Sequence, residues 1–292
     1  MELEDLIQTI ENQHQIISVV GAGGKSTLIR TLAERLSRRG RRVLVTTTTH
    51  IWKPEDGTYA EGEAEAERLW KQGRYAVVGV PAGLWGNESA QQKNAGNQGL
   101  KSKLTSLQEK ELHQYMKAAE IVLIEADGAK CNPCKIPAAH EPVILEESTL
   151  IIGVMGMDCL NRPISEVCFR WQEGEGWLWL AGKNEMAGQA NLWPEQKESE
   201  KQQSICKTCL TTALAAQILS SERGTRKNCG SRDYAVVLNK CDTDVLIKQA
   251  EEIEHRLNGC GIKEVVKLSL KPFVGTAGID REYERKFLRG KE

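Results

Sequence analysis

Apolar, β-branched runs of strand length recur through the chain, and amphipathic stretches of helical period lie between them. The runs are residues 15–20 (QIISVV), 42–47 (RVLVTT), 75–80 (YAVVGV), 120–126 (EIVLIEA), 149–154 (TLIIGV), 234–240 (YAVVLNK) and 264–270 (EVVKLSL). Several are apolar on both faces, as parallel strands must be when helices cover each side. Between them lie stretches such as residues 26–39, where Leu28, Leu32 and Leu36 form one stripe, and residues 244–259. Gly40 and Gly259 stand where the residue after a helix end takes a left-handed turn. Strict alternation of strand and helix predicts an α/β fold, a doubly wound, mainly parallel sheet in a three-layer sandwich.

The length of 292 residues allows a large core, and one domain over residues 1–292 is expected. Surface insertions are expected near residues 81–103, rich in Gly, Asn, Gln and Lys, and near 171–204, polar and low in complexity. A short hairpin is expected within residues 169–183. The 39 basic residues nearly balance the 40 acidic ones, which argues against a nucleic-acid partner. The polar start MELEDLIQTIENQHQ lacks the apolar segment of a signal peptide, and no apolar run approaches the length of a bilayer span. A soluble, cytoplasmic protein is expected.

Nine cysteines make an odd number, unlike a secreted disulfide framework. Cys131/Cys134 and Cys206/Cys209 have the spacing of zinc-binding pairs. The second pair falls in a segment that reads as a buried helix, where cysteine serves as a small apolar residue, so zinc is the less favoured reading.

The segment IISVVGAGGKSTLIRTLAERL (residues 16–36) joins a strand pattern to a helix pattern through Gly21, Ala22, Gly23, Gly24, Lys25, Ser26 and Thr27. Glycines let backbone N–H groups turn toward phosphate oxygens, assisted by the helix N-terminus. Lys25 would lie along the β- and γ-phosphates, and Ser26 would offer its hydroxyl to Mg²⁺. Val19 stands where the usual phosphate loop has its first glycine, giving a shorter G-x-x-G-K-S form similar to that tolerated in the Mur ligases.

Residues 120–130 carry Glu125, Asp127 and Gly128 at the end of an apolar strand. An acid there holds Mg²⁺ in phosphate-loop proteins, and the glycine N–H would sense the γ-phosphate. Spacing leaves both acids open as the Mg²⁺-side carboxylate. Asn239, Lys240 and Asp242 form an N-K-x-D pattern after a later strand. A carboxylate there matches the paired N1–H and exocyclic amine of guanine and is left unpaired by adenine. GTP is therefore expected over ATP. Ser269 and Lys271 faintly echo a further guanine-reading element.

Thr46, Thr47, Thr48 and Thr49 end the second strand, with Thr47 or Thr48 as candidates for the Mg²⁺ shell and His50 beyond them. The proline-punctuated stretch after Gly128 brings Lys130, Lys135, His140 and Glu141 as candidates for a substrate or partner loop.

These blocks together resemble the YqeC proteins, described as accessory proteins of selenium-dependent hydroxylases. The resemblance lies in VVGAGGKSTL, VTTTTHI, LIEADGAK with the following K-x-P-A-x-H-E-P-V-I, residues 156–170, and VVLNKCD, in order through nearly the whole chain. It adds Asp158 and Arg170 as candidates and implies a part in the maturation or cofactor supply of molybdenum hydroxylases, with such an enzyme or its cofactor-handling proteins as partner. The layout is also similar to that of metallochaperone GTPases. Catalytic weight would fall on Lys25, Glu125 and Asp127. Two other classes stay open: an ATP-dependent small-molecule kinase or ligase, and a nucleotide sensor that never turns over.

Overall fold

The computed structural model describes residues 1–82, 102–174, 176–178 and 208–270. In chain order it forms α1 (Leu3–Gln13), β1 (Ile16–Gly21), α2 (Lys25–Arg38), β2 (Val43–Thr47), β3 (His50–Trp52), α3 (Glu63–Lys71), β4 (Ala76–Val77) and β5 (Val80–Ala82). Then follow β6 (Lys103–Thr105), α4 (Glu109–Ala118), β7 (Ile121–Glu125), β8 (Cys134–Lys135), β9 (Leu150–Gly156), α5 (Ile164–Val167), β10 (Cys168–Phe169), α6 (Thr212–Ser220), β11 (Asp233–Asn239), α7 (Asp244–Gly259) and β12 (Val265–Lys267).

Seven strands pair in the order β12-β11-β9-β1-β7-β2-β4, and every pairing is parallel. The two-residue period of a strand divides their side chains between two helix layers. Ile17, Val19, Val45, Leu123 and Ile152 pack with Leu6, Ile10, Leu28, Leu32 and Leu36 of α1 and α2. The alternate residues Leu44, Val122 and Ile124 face Leu69 of α3 and Leu112 of α4, while Val236 and Leu238 face α6 and α7. This is the doubly wound, three-layer α/β fold expected from the strand–helix alternation. Each fully buried leucine of the α2 stripe contributes about 2 kcal/mol.

The chain leaves β1 for β2 and β4, returns with β7 to one flank of β1, and then crosses with β9 to the other. The winding thus reverses at β1. In open parallel sheets the crevice at such a reversal, beyond the carboxyl ends of the strands, is where ligands bind. Register brings the conspicuous strand ends level, with Val19 and Thr47 beside Glu125 and Asn239 beside Gly156.

The structure departs from the sequence reading in three places and adds to it in a fourth. The run 75–80 splits: Ala76–Val77 stays in the main sheet, while Val80–Ala82 joins β3 and β6 in an antiparallel sheet. Gly79 permits the crossing, since a Cβ there would stand 2.9 Å from both Leu104 Cβ and Thr105 O. The buried helix expected around Cys206 and Cys209 begins only at Thr212, and residues 208–210 are not helical. Thr211 caps α6 by accepting from Leu214 N at 3.2 Å, which leaves Cys209 exposed ahead of the helix. Cys206 lies outside the described residues. The N-terminus, given no element in the sequence reading, carries a helix with Leu3, Leu6, Ile7 and Ile10 buried at helical spacing. Finally, where a hairpin was expected within residues 169–183, Trp171–Gly174 forms a 3-10 helical turn and residues 179–183 lie outside the described ones, while Cys168–Phe169 just before it pairs in parallel with Cys134–Lys135. The expected insertions fall largely on residues 83–101 and 179–207, outside the described ones.

Candidate nucleotide site

Val19 is fully buried in β1, which continues to Gly21, and α2 begins at Lys25. Only Ala22, Gly23 and Gly24 span the gap, so the loop is the short form that the missing first glycine implies. Gly23 (φ +86°) and Gly24 (φ +127°) lie where L side chains are strained. A Cβ on Gly23 would sit 2.1 Å from Gly156 N, and one on Gly24 2.2 Å from Asn239 Nδ2. The loop is glycine because backbone and a bracing amide press on it.

The loop amides are already engaged. Gly21 N donates to Asp127 Oδ2 (3.0 Å), Ala22 N to Val154 O (2.9 Å) and Gly23 N to Asn132 O (3.1 Å). No side chain caps α2, whose first turn contains no acid. The uncapped first-turn amides of α2 are donors suited to an anion.

Lys25 is buried and donates to Gly21 O at 2.7 Å. Its Nζ lies 3.1 Å from Asp127 Oδ1, an ion-pair contact outside hydrogen-bond geometry, and 3.8 Å from Glu125 Oε1. The Ser26 hydroxyl donates to Glu125 Oε2 at 2.8 Å. Thr47 donates its hydroxyl to Glu125 O (2.8 Å), and Thr48 N donates to the same carbonyl (3.2 Å), so the threonine run fixes the Glu125 backbone. Thr48 Oγ1 donates to Val143 O (2.7 Å), while Thr46 Oγ1 is buried without a partner.

The charges continue as a chain. Lys135 is 1% exposed, with its Nζ 3.2 Å from Asp127 Oδ2, 2.7 Å from Glu141 Oε2 and in hydrogen-bond contact with Gly128 O. Arg170 closes on the same Glu141 oxygen. Lys135, expected on a loop, is in fact a buried member of β8. Burial would lower the Lys25 ammonium pKa, but Asp127 and Glu125 outweigh it and hold the pKa above its ordinary value. Burial also pushes the Glu125 carboxyl up, and Lys25 and Ser26 offset this only in part.

Burial acts upward on Glu141 as well, yet the hydrogen bond and charge of Lys135 and the charge of Arg170 hold its carboxyl below the ordinary 4.5. A depressed carboxylate contributes stability that is full above its unfolded pKa and is lost as pH falls through the folded one. Glu141→Gln is therefore expected to be less stable than the parent at neutral pH, by about 3 kcal/mol for a broken buried pair. Urea midpoints of the two proteins should converge as pH falls below about 4.5. A gap that widens on acidification would contradict this.

At the far side of the crevice, Asn239 donates from Nδ2 to Gly23 O (2.9 Å) and accepts from Leu270 N (3.0 Å). One amide thus ties the glycine loop to the segment after β12. Lys240 (φ +63°) donates to Asp158 Oδ2 at 2.6 Å. Asp242 is exposed and accepts a hydrogen bond from the Ser269 hydroxyl. Lys271 lies outside the described residues. His140 and Lys130 are exposed, and Lys130 Nζ stands 5.4 Å from the centre of the Phe169 ring. Lys135 Nζ at 6.0 Å and the Arg170 guanidinium at 4.8 Å border the same ring.

Sequence reading missed Asn132, whose carbonyl covers the glycine loop, and Phe169, around which three cations gather. Neither belongs to a spacing pattern. The positive φ of Lys130 (45°) and Cys131 (63°), which turns Asn132 onto the loop, has no residue signature.

Fold and site together define a doubly wound α/β protein with a glycine loop, a buried lysine–carboxylate cluster and an Asn-Lys-x-Asp strand end at its switch point. A family model described as YqeC protein matches residues 17–172, and the chain belongs to that family. The chain is similar to a protein of Escherichia coli K12 named "Uncharacterized protein YqeC", with 35% identity over 159 residues. That alignment covers 54% of this chain and 58% of the relative, so the chain spans less than two thirds of the curated relative's length. No solved structure matches. Among the described residues no helix is long and apolar enough to cross a membrane.

Proposed function

We propose that this protein is a Mg²⁺-dependent P-loop nucleoside triphosphatase selective for GTP. The observation that carries the reading is the Asn239 bridge, which couples the loop suited to phosphates with the strand end suited to guanine. In this reading the triphosphate enters the first-turn amides of α2. Lys25 turns from Asp127 toward the phosphates, and Asp127 keeps Lys135 and the Gly21 amide. Lys240 lies along the base, and Asp242 accepts from its two donors with its carboxylate positioned by Ser269.

Among the described residues no cluster of three or more His, Cys, Asp or Glu side chains is arranged for a metal. Mg²⁺ in nucleotide sites takes only one or two protein oxygens beside phosphate and water. The Ser26 hydroxyl and the Glu125 carboxylate, in contact at 2.8 Å, fit that need. This pairing favours Glu125 over Asp127 as the Mg²⁺-side acid. The ion, when bound, would neutralise charge on the phosphates. The chain's own part is to bind, align and exclude water, and turnover without a partner should be slow.

The resemblance to the YqeC proteins, described as accessory proteins of selenium-dependent hydroxylases, would give this protein a role in maturing a selenium-dependent molybdenum hydroxylase by inserting or modifying its cofactor, in the cytoplasm. A second reading, an ATP-dependent kinase or ligase for an anionic acceptor, is favoured by the exposed Lys130, which borders the Phe169 ring together with Arg170. Phosphate release from GTP and ATP, followed with Mg²⁺ and with a chelator, tests the choice. Mg²⁺-dependent release from GTP alone supports the first reading. Release from ATP that requires an added acceptor overturns it in favour of the second.

A further inference from the structure

Behind the glycine loop, three of the buried cysteines come together where β8 and β10 meet. Cys134 and Cys168 are register partners on adjacent parallel strands, and both are free. The Cys134 thiol donates to Cys168 Sγ across 3.3 Å. Adjacent strands lie about 4.8 Å apart, within the range of Cα separations that disulfides span. The two sulfurs need to close by only about 1.3 Å to reach the bond length of about 2.0 Å. Lys135 follows Cys134, and Phe169 and then Arg170 follow Cys168; Lys135 and Arg170 both pair with Glu141. Two register pairs alone hold this small sheet, and so short a ladder is weak by itself.

We propose that Cys134 and Cys168 form a reversible disulfide, with a hydroperoxide as oxidant, that staples the strand carrying Lys135 to the strand leading into Arg170. The Cys168 thiolate attacks one peroxide oxygen and breaks the O–O bond, giving a sulfenic acid; the departing hydroxide takes up the thiol's proton as water. The Cys134 sulfur then attacks the Cys168 sulfur. The S–S bond forms, and the expelled hydroxide leaves as water with the Cys134 proton. Two thiols lose two electrons and two protons, and one hydrogen peroxide becomes two waters.

The order of events follows from the hydrogen bond: Cys134 donates to Cys168, which assigns the first step to Cys168 and the second to Cys134. Cys159 acts downward on the Cys134 thiol, but the bond to Cys168 and burial outweigh it and hold the thiol well above its ordinary pKa, suiting it to the second step. Such a bond in a reducing compartment would be transient and would respond to oxidant.

The test uses the full-length protein, exposed to a small excess of hydrogen peroxide, alkylated after denaturation, digested and mapped by mass spectrometry. A linked peptide pair joining Cys134 to Cys168 is expected. It should disappear with dithiothreitol and persist in Cys131→Ser, which removes the exposed cysteine of the same loop. Full alkylation of Cys134 and Cys168 after oxidation would overturn the proposal, as would linkage of Cys134 to Cys131 or Cys159 instead.

Discussion

Lys135→Met is expected to lower the unfolding free energy by about 3–5 kcal/mol, the cost of leaving buried carboxylates without their cation. Methionine matches the length of the lysine stem, so packing is largely kept and the change isolates the charge. What is lost is the ammonium between Asp127 and Glu141, at 3.2 and 2.7 Å, at a position 1% exposed. Arg170 still holds Glu141, and Lys25 still holds Asp127, which keeps the loss at the lower end of that range. A fall in Tm of roughly 8 °C corresponds to it. Adding Asp127→Asn to Lys135→Met should not recover the loss, because the buried Lys25 then loses its closer carboxylate. Urea denaturation of the parent and the variants measures this, and an unchanged midpoint in Lys135→Met would contradict the charge chain as drawn.

Asp242→Asn should weaken the binding of a GTP analogue by about 100-fold, while ATP analogues change little. In the proposed GTP reading the carboxylate would accept two parallel hydrogen bonds from guanine, and an amide would replace one acceptor by a donor that faces the exocyclic amine. Loss of one charge-assisted pair with a donor left opposed is worth about 3 kcal/mol, and each 1.4 kcal/mol is about tenfold. Xanthine carries a carbonyl where guanine carries that amine, so the Asp242→Asn variant should bind a xanthosine triphosphate analogue better than the parent does. Asp242 is exposed and outside the core, so the fold should be unaffected. Equal loss for guanine and adenine analogues would place Asp242 away from the base.

The strands and the faces they bury were legible because period-two and helical patterns express burial directly, as in Leu28, Leu32 and Leu36 against Val19 and Val45. The glycine loop was legible for the same reason that it is glycine, namely contact with backbone. Two-residue strands such as β8 and β10 leave too short a pattern to read. Lys135 illustrates the limit. A lysine among prolines reads as solvated, and only the tertiary meeting of Asp127, Glu141 and Gly128 O offsets the cost of its burial. The choice between Glu125 and Asp127 was closed to spacing as well, since both follow one strand and only side-chain direction separates them. Glu125 turns to Ser26, and Asp127 turns beneath the loop to the Gly21 amide.

The most direct test of the nucleotide reading is a calorimetric titration of the full chain with non-hydrolysable GTP and ATP analogues, each with and without Mg²⁺. The account predicts Mg²⁺-strengthened binding of the GTP analogue and much weaker binding of the ATP analogue. Binding of neither analogue would contradict it, and would make the glycine loop at residues 21–24 a turn braced by Asn132 and Asn239 and nothing more.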